Sequence, residues 1–285
     1  MAVHFHPLKI KNIKKETADC VSISFDIPET LVPLFEFKEG QNITLKSKIG
    51  GEEIRRSYSV CTAPYEKELR VAVKKVTGGL FSAFANDELK PGDTLDVLPP
   101  TGKFNARIHA EKNGNYLAIA AGSGITPVLS IIKHTLNSQP GSRFTLIYGN
   151  RDRNSIIFFE ELEGLKNKYM ERFNFINILS REKTDTDVFY GRINEEKLAD
   201  LAKIVPYESF NDIYLCGPEE MIFTGSKYFQ KAGIKTENIH FELFTSPGQK
   251  KSGLVVSQAA ESNGASSSVT IKLDGRSIDF KLGYN

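Results

Sequence analysis

The stretch from Leu117 to Pro127 constrains the fold of this chain more than any other. It reads Leu-Ala-Ile-Ala-Ala-Gly-Ser-Gly-Ile-Thr-Pro, so a short apolar run meets two glycines and then a proline. That order predicts a buried strand, a tight loop and the start of a helix. Backbone N–H groups in such a loop can approach a phosphate, and the helix dipole favours its negative charge. Gly122, Ser123 and Gly124 are therefore candidate dinucleotide-binding residues, although an ordinary strand-to-helix turn shares this layout.

Length and composition limit the class of protein. The chain has 285 residues, of which 40% are apolar and 25% charged, so it can form two globular domains with separate cores. A net charge of +2 gives no electrostatic reason to expect binding to nucleic acid or to a membrane. No apolar run approaches the roughly 18 residues of a membrane-spanning helix, and the N-terminus lacks a secretory signal. Cys20, Cys61 and Cys216 are widely spaced and odd in number, which predicts reduced thiols in a cytoplasmic protein.

Short β-prone segments separated by turn residues fill residues 1–106. Strands are predicted at 3–11, 21–27, 42–47, 57–61, 68–76 and 94–97, with one helix at 80–89. Several short strands with frequent turns favour an antiparallel barrel or sandwich.

Two motifs in this region have the chemistry to bind a nucleotide. In the first, Arg56 and Tyr58 share one face of a strand, which places a phosphate-binding cation beside a flat ring. In the second, a strand ends at Gly78 and Gly79, and a helix then begins with Ser82 in its first turn. A solvated surface strand and an ordinary strand-to-helix turn are the alternatives.

Four segments, in their order along the chain, resemble the ferredoxin–NADP reductase superfamily. They are 56–59 (Arg-Ser-Tyr-Ser), 79–82 (Gly-Leu-Phe-Ser), 89–93 (Leu-Lys-Pro-Gly-Asp) and 122–127 (Gly-Ser-Gly-Ile-Thr-Pro). Over residues 1 to about 245 the chain is most similar to the reductase components of bacterial oxygenases, in particular those of phenylacetyl-CoA epoxidases. The resemblance implies a Greek-key antiparallel β-barrel that binds FAD at 1–106, followed by an NAD(P)-binding α/β domain at 107–245.

The same resemblance implies roles for the barrel residues. Arg56 would contact a flavin phosphate, Tyr58 would stack on the isoalloxazine, and Ser59 would hydrogen-bond near its reactive nitrogen. The further FAD-binding residues that it implies are Ser57, Val73, Lys74, Val76, Gly79, Leu80, Phe81, Ser82, Thr126 and Phe244.

Strands and helices alternate through the second domain. Strands are predicted at 116–121, 144–148, 173–179, 212–216 and 239–244, with helices at 127–136, 156–169, 195–202 and 219–231, which indicates a doubly wound sheet of five parallel strands. Ligands bind such sheets at the carboxyl ends of the strands. The residues found there, besides the glycine loop, are Arg151, Ser180, Arg181, Cys216, Gly217 and Pro218. An NAD site would have an acid near the end of the second strand, which here ends at Arg151 with Asp152 just beyond it. Arg151, Arg153 and Arg181 favour the 2′-phosphate of NADPH over NADH, with solvated loop arginines as the alternative.

The activity that the resemblance implies is hydride transfer from NADPH to FAD, followed by release of single electrons. Ser59, Cys216 and Glu242 are the candidate catalytic residues, with Cys216 positioning the nicotinamide and Glu242 closing the site from the last strand. The expected acceptor is a 2Fe-2S centre and then an oxygenase or epoxidase, in phenylacetate catabolism. The alternatives are a stand-alone ferredoxin or flavin reductase, and a non-catalytic nucleotide-binding regulatory subunit.

The end of the chain predicts a linker and a hairpin. Residues 246–268 are rich in Gly, Ser, Lys and Gln, and 269–273 and 277–282 alternate around Asp274-Gly275. In oxygenase reductases such a linker leads into a plant-type 2Fe-2S ferredoxin domain, so 269–285 is expected to be the first hairpin of a truncated domain of this kind. That cluster needs four cysteines, and none follows Cys216, so no metal centre is expected in this chain.

Overall fold

The computed structural model describes residues 4–104 and 113–244, together with the backbone of two strands at 266–273 and 276–283. The chain divides into two compact units, Met1–Pro247 and Gly248–Asn285. The predicted domain boundary at 106–107 and most of the predicted linker at 246–268 lie outside the described residues.

The first sheet is antiparallel and has six strands. They are β1 (His6–Thr17), β2 (Cys20–Asp26), β3 (Asn42–Ile49), β4 (Glu52–Ser59), β5 (Arg70–Lys74) and β6 (Thr94–Val97), in the spatial order β4-β3-β6-β1-β2-β5. Beyond β4, Val60 pairs with Val71 of β5, so the two outer strands meet and the sheet closes into a barrel. The antiparallel fold predicted for this region is confirmed. Two helices accompany it, the short α1 (Val32–Phe35), which was not predicted, and α2 (Leu80–Asp87).

Two strands of the barrel are longer than the sequence pattern indicated. Strand β1 continues past Lys11 to Thr17, because its polar second half pairs with β2 across a tight turn. Strand β4 begins at Glu52 and not at Ser57, since its charged first half pairs with β3 around a turn at Gly50 and Gly51, both with positive φ. Polar exposed strands of this kind lack the apolar alternation on which the prediction relied.

The second sheet is parallel and has five strands. They are β7 (Asn115–Ala121), β8 (Arg143–Asn150), β9 (Phe173–Leu179), β10 (Asp212–Gly217) and β11 (Ile239–Leu243), in the order β11-β10-β7-β8-β9. Four helices connect them: α3 (Ile125–Ser138), α4 (Phe159–Lys168), α5 (Glu195–Leu201) and α6 (Glu219–Lys231). Alternate residues of β7 enter different apolar cores, Ala118 the one with α3 and α4 and Leu117 the one with α5 and α6. Helices therefore cover both faces, which confirms the doubly wound α/β fold.

Helix α3 is anchored to the barrel by buried polar contacts. The side chain of Lys133 is buried, with an exposed fraction of 2%. Its Nζ lies 3.0 Å from Glu66 Oε1, and it also pairs with Glu161. The Arg70 guanidinium reaches Glu161 from the barrel at 3.0 Å, and Ser130 donates a hydrogen bond of 2.5 Å to the Thr62 carbonyl. These contacts hold the helix that follows the glycine loop against the turn that follows β4.

The unit at Gly248–Asn285 contains an antiparallel hairpin. Its strands are β12 (Ser266–Leu273) and β13 (Arg276–Gly283), with Leu273 paired to Arg276. Both strands are slightly longer than the segments predicted from the alternation around Asp274-Gly275. In the parts of the chain that the structure describes, no helix is both long enough and apolar enough to span a membrane.

Candidate active site

The glycine loop brings the end of β7 against the end of β10. A Cβ atom at Gly124 would lie closer than 3.0 Å to the Cys216 carbonyl group and to the Gly217 nitrogen, so a larger residue cannot be accommodated without moving backbone. Gly122 has a φ of +54° and its carbonyl accepts a hydrogen bond of 2.8 Å from the Tyr148 hydroxyl. The loop therefore presents its backbone at the carboxyl edge of the sheet, where ligands of this fold class bind.

Ser59 and Glu242 meet where the barrel contacts the parallel sheet. Ser59 ends β4, and its hydroxyl donates a hydrogen bond of 3.1 Å to Glu242 Oε2 on β11. Glu242 lies next to Cys216 in the register of β10 and β11. Asn42, which pairs with Ser59 across β3 and β4, also hydrogen-bonds the Glu242 carboxylate. The structure thus brings together the three residues that were predicted to be catalytic.

Burial decides the protonation of this cluster. It raises the pKa of Glu242 above the ordinary value, and the hydrogen bonds from Ser59 and Asn42 offset this in part. Burial also raises the pKa of the Cys216 thiol well above its ordinary value, and the neighbouring charge of Glu242 adds to the effect. Cys216 is therefore a neutral thiol at physiological pH, which suits a positioning role and not a nucleophilic one.

The strand that carries the Arg-Ser-Tyr-Ser motif has two different faces. The Tyr58 ring is half-buried and lies 5.7 Å from the Phe81 ring, and burial raises the pKa of its hydroxyl above the ordinary value. Arg56 lies on the same face of β4 as Tyr58 and donates a hydrogen bond of 2.6 Å to the Arg55 carbonyl. On the other face, the Ser57 hydroxyl is 2.9 Å from that of Thr44. A flat ring with a cation beside it is an arrangement that can hold an aromatic ring system bearing a phosphate.

The second glycine pair borders an open cleft of about 740 Å³, which we call the glycine cleft. Its lining comprises Asp19, Ile49, the segment 74–80, Ala83, Phe84, Glu88 and Arg151. Gly78 has a φ of +73°, and a Cβ atom at Gly79 would lie closer than 3.0 Å to Val76 Cγ2 and Ser82 Oγ. The first helical hydrogen bond of α2 runs from the Ala83 N–H to the Gly79 carbonyl. The earlier amides lie at an open helix N-terminus, which favours an anion.

Four of the residues predicted to bind FAD are buried, three of them in the barrel and Thr126 at the start of α3. Val73 is fully buried in the barrel core, and its carbonyl accepts a hydrogen bond from Asn86. Phe81 is also buried, and the buried Ser82 hydroxyl accepts from Val76 N–H and donates to the Gly79 carbonyl. Thr126 is buried too, and its hydroxyl donates to the Ser123 carbonyl at 3.0 Å. All four remain predicted FAD-binding residues, and the structure shows their side chains buried within the protein.

The remaining predicted residues line the edge of the parallel sheet. Arg151 and Arg181 follow β8 and β9, and the Arg181 N–H donates a hydrogen bond of 2.7 Å to the Arg151 carbonyl. Ser180 bonds to Asn150 through its N–H and its hydroxyl. Gly217 and Pro218 lead from β10 into α6, and the exposed Phe244 follows β11.

Two residues of the site were missed by the sequence analysis. Asn42 reaches Glu242, and Asp19 lines the glycine cleft beside Lys74. Both positions depend on which strands become neighbours, and a local motif contains no information on that. Within residues 4–104 and 113–244, no group of three or more His, Cys, Asp or Glu side chains is placed to hold a metal ion.

Comparison with known proteins agrees with this geometry. The family model of the oxidoreductase FAD-binding domain matches residues 7–106, and that of the oxidoreductase NAD-binding domain matches residues 118–226. The chain is an NAD(P)H-dependent oxidoreductase with a flavin domain and a pyridine-nucleotide domain. It belongs to the ferredoxin–NADP reductase family.

Two relatives and one solved structure illustrate the similarity. A component of the 1,2-phenylacetyl-CoA epoxidase of Escherichia coli is 40% identical over 279 residues, covering 98% of this chain and 77% of that protein. The ferredoxin reductase component of 3-ketosteroid-9-alpha-monooxygenase from Rhodococcus rhodochrous is 33% identical over 276 residues, covering 94% and 74%. The FAD/NAD-binding domain of nitric oxide dioxygenase from Vibrio cholerae superposes with a TM-score of 0.73 at 27% identity, covering 85% of this chain and 99% of that one.

Proposed function

We propose that this protein is the reductase component of an oxygenase system, which takes hydride from NADPH on to FAD and releases single electrons to an acceptor. The hydrogen bond between Ser59 and Glu242 carries the proposal, because it joins the flavin domain to the nucleotide domain beside Cys216. Residues 1–106 would bind FAD and 107–245 the pyridine nucleotide. FAD would supply the conversion of a two-electron donor into a one-electron donor.

The residues present fit FAD. Gly78 and Gly79 leave the glycine cleft open at the N-terminus of α2, which suits a pyrophosphate. Tyr58 and Arg56 would hold the isoalloxazine and the nearer phosphate. Ser59 would orient the reactive ring edge, and Glu242, with its raised pKa, would hold or accept a proton there. Cys216 would keep the nicotinamide in place by packing.

We assign the nucleotide as NADPH. Arg181 and Ser180 follow β9, and the Arg181 guanidinium has no side-chain partner among the described residues. Arg153, by contrast, packs over the Phe159 ring at 4.9 Å, and its N–H is bonded to Glu182. A free guanidinium at this edge suits a 2′-phosphate. The ratio of kcat/KM for NADPH to that for NADH should fall in Arg181→Gln, and an unchanged ratio would contradict the assignment.

The acceptor we propose is a 2Fe-2S centre of ferredoxin type that serves an oxygenase or epoxidase. Similarity to components of two such systems supports this, and the 40% identity to the Escherichia coli epoxidase component favours phenylacetyl-CoA epoxidation. The three cysteines are free thiols, which supports a cytoplasmic location.

The purified protein tests the proposal directly. We expect a yellow preparation that releases FAD on denaturation and is bleached by NADPH under anaerobic conditions. Addition of a plant-type ferredoxin should then accelerate cytochrome c reduction, whereas a free-flavin reductase would respond to added flavin instead. A colourless protein that binds NADPH but takes up no FAD would contradict the proposal and favour a non-catalytic nucleotide-binding protein.

A further inference from the structure

Arg151 contributes to the glycine cleft, although its position in the sequence predicts a contact with the pyridine nucleotide. It follows β8, at the edge where an arginine is expected to meet the 2′-phosphate of NADP. Arg151 nevertheless lines the glycine cleft, whose other lining residues all belong to the barrel. Among the described residues, Arg151 is the single contribution of the α/β domain to that lining.

The charges around the glycine cleft leave this cation without a carboxylate. Lys74 Nζ lies 3.7 Å from an Asp19 carboxylate oxygen, and Lys75 Nζ lies 2.5 Å from one of Asp87. In residues 4–104 and 113–244, no side chain or carbonyl group forms a hydrogen bond or ion pair with the Arg151 guanidinium. Both lysines of the cleft lining therefore have a carboxylate partner, and among the described residues Arg151 is the cation of that lining without one.

We propose that Arg151 binds the pyrophosphate of FAD from the α/β side of the glycine cleft. This rests on the proposed function, in which the flavin nucleotide occupies the cleft. A pyrophosphate has two negative charges, and the amides at the start of α2 offer partial positive charge from one side only. A guanidinium can complete the site with two parallel hydrogen bonds.

Two arginines joined by a backbone hydrogen bond then bind different cofactors. Arg151 binds the pyrophosphate of FAD, and Arg181 binds the 2′-phosphate of the pyridine nucleotide. FAD is then bound by both domains, so its binding also fixes the nucleotide domain against the barrel.

The test compares Arg151→Gln with Arg181→Gln, which remove the same charge from two residues whose backbones are hydrogen-bonded to each other. Apoprotein is titrated with FAD and with riboflavin, which lacks both phosphates. We expect Arg151→Gln to weaken FAD binding about tenfold, in line with a charge-assisted hydrogen bond to phosphate. Its affinity for riboflavin should change by less than about twofold, as should the affinity of Arg181→Gln for FAD. Arg151→Lys should recover part of the lost affinity, because it restores the charge without the planar fork.

Three results would overturn the proposal. One is wild-type FAD affinity in Arg151→Gln, and a second is a loss of NADPH preference in that variant without a loss of FAD affinity. The third is an equal loss of riboflavin affinity, since that would indicate damage to the isoalloxazine site. A wild-type protein that takes up no FAD would instead contradict the proposed function, before any variant is compared.

Discussion

Glu242 combines burial with a position between two cofactor regions. Its carboxylate accepts a hydrogen bond from Ser59, and burial raises its pKa above the ordinary value of 4.5. The native state therefore keeps a proton that the unfolded chain releases, so the free energy of unfolding decreases as pH rises from that value towards the raised one. In Glu242→Gln this decrease should be absent, which urea unfolding across mildly acidic to neutral pH can measure.

The same substitution should slow flavin reduction. We expect the rate at saturating NADPH to fall about a hundredfold, the lower end of the range for loss of a positioned proton donor or acceptor. The matched control is Glu196→Gln, an exposed carboxylate on α5. Retention of the wild-type rate and pH profile in Glu242→Gln would exclude a role for this carboxylate in the reaction.

Helix α2 depends on one glycine at its start. Because a Cβ atom at Gly79 would lie closer than 3.0 Å to Val76 Cγ2 and Ser82 Oγ, Gly79→Ala must move these side chains, and the Ser82 hydroxyl is bonded to the turn before α2. We expect it to lower the free energy of unfolding by about 1–3 kcal/mol, as overpacking does, and to weaken FAD binding. In Gly164→Ala, the new methyl group meets nothing within 4 Å on α4, so it should raise the free energy of unfolding by about 0.5–1 kcal/mol. Equal effects of the two substitutions would contradict this account.

Strands and helices could be predicted where apolar and polar residues follow a regular pattern, or where glycine or proline marks an end. The three inner strands of the parallel sheet are largely apolar, the outer strands β9 and β11 contain polar residues between apolar ones, and all five were predicted close to their observed bounds. The first half of β4 was missed because Glu52 to Arg55 have the composition of a loop. The contact between Ser59 and Glu242 joins residues 183 positions apart, and the site therefore depends on strand order, which local patterns do not encode.

At the scale of the whole molecule, the barrel and the α/β domain are joined through Lys133 and Glu161. Burial raises the pKa of Glu161, but the charges of Lys133 and Arg70 outweigh it and hold that pKa below the usual range. The ion pair therefore contributes stability above the pKa that Glu161 has in the unfolded chain, and this stability is lost as pH falls towards the lowered value. As pH falls, the contact between the barrel and the α/β domain should therefore weaken at an early stage of acid unfolding.

Removal of the lysine tests this connection. Lys133→Met removes the buried partner of Glu66 and leaves Glu161 paired with Arg70 alone, so we expect the free energy of unfolding at neutral pH to fall by about 2–3 kcal/mol, somewhat less than for a fully buried pair. The free energy of unfolding should also depend less on pH in the acidic range.

The control is Lys231→Met. The two side chains of the Lys231–Glu195 pair are 69% and 62% exposed, so this pair should contribute less than about 1 kcal/mol. Because α3 follows the nucleotide loop, Lys133→Met should slow flavin reduction by NADPH. Unchanged hydride transfer in a destabilised Lys133→Met would show that these ion pairs support the fold without setting the distance between the two cofactors.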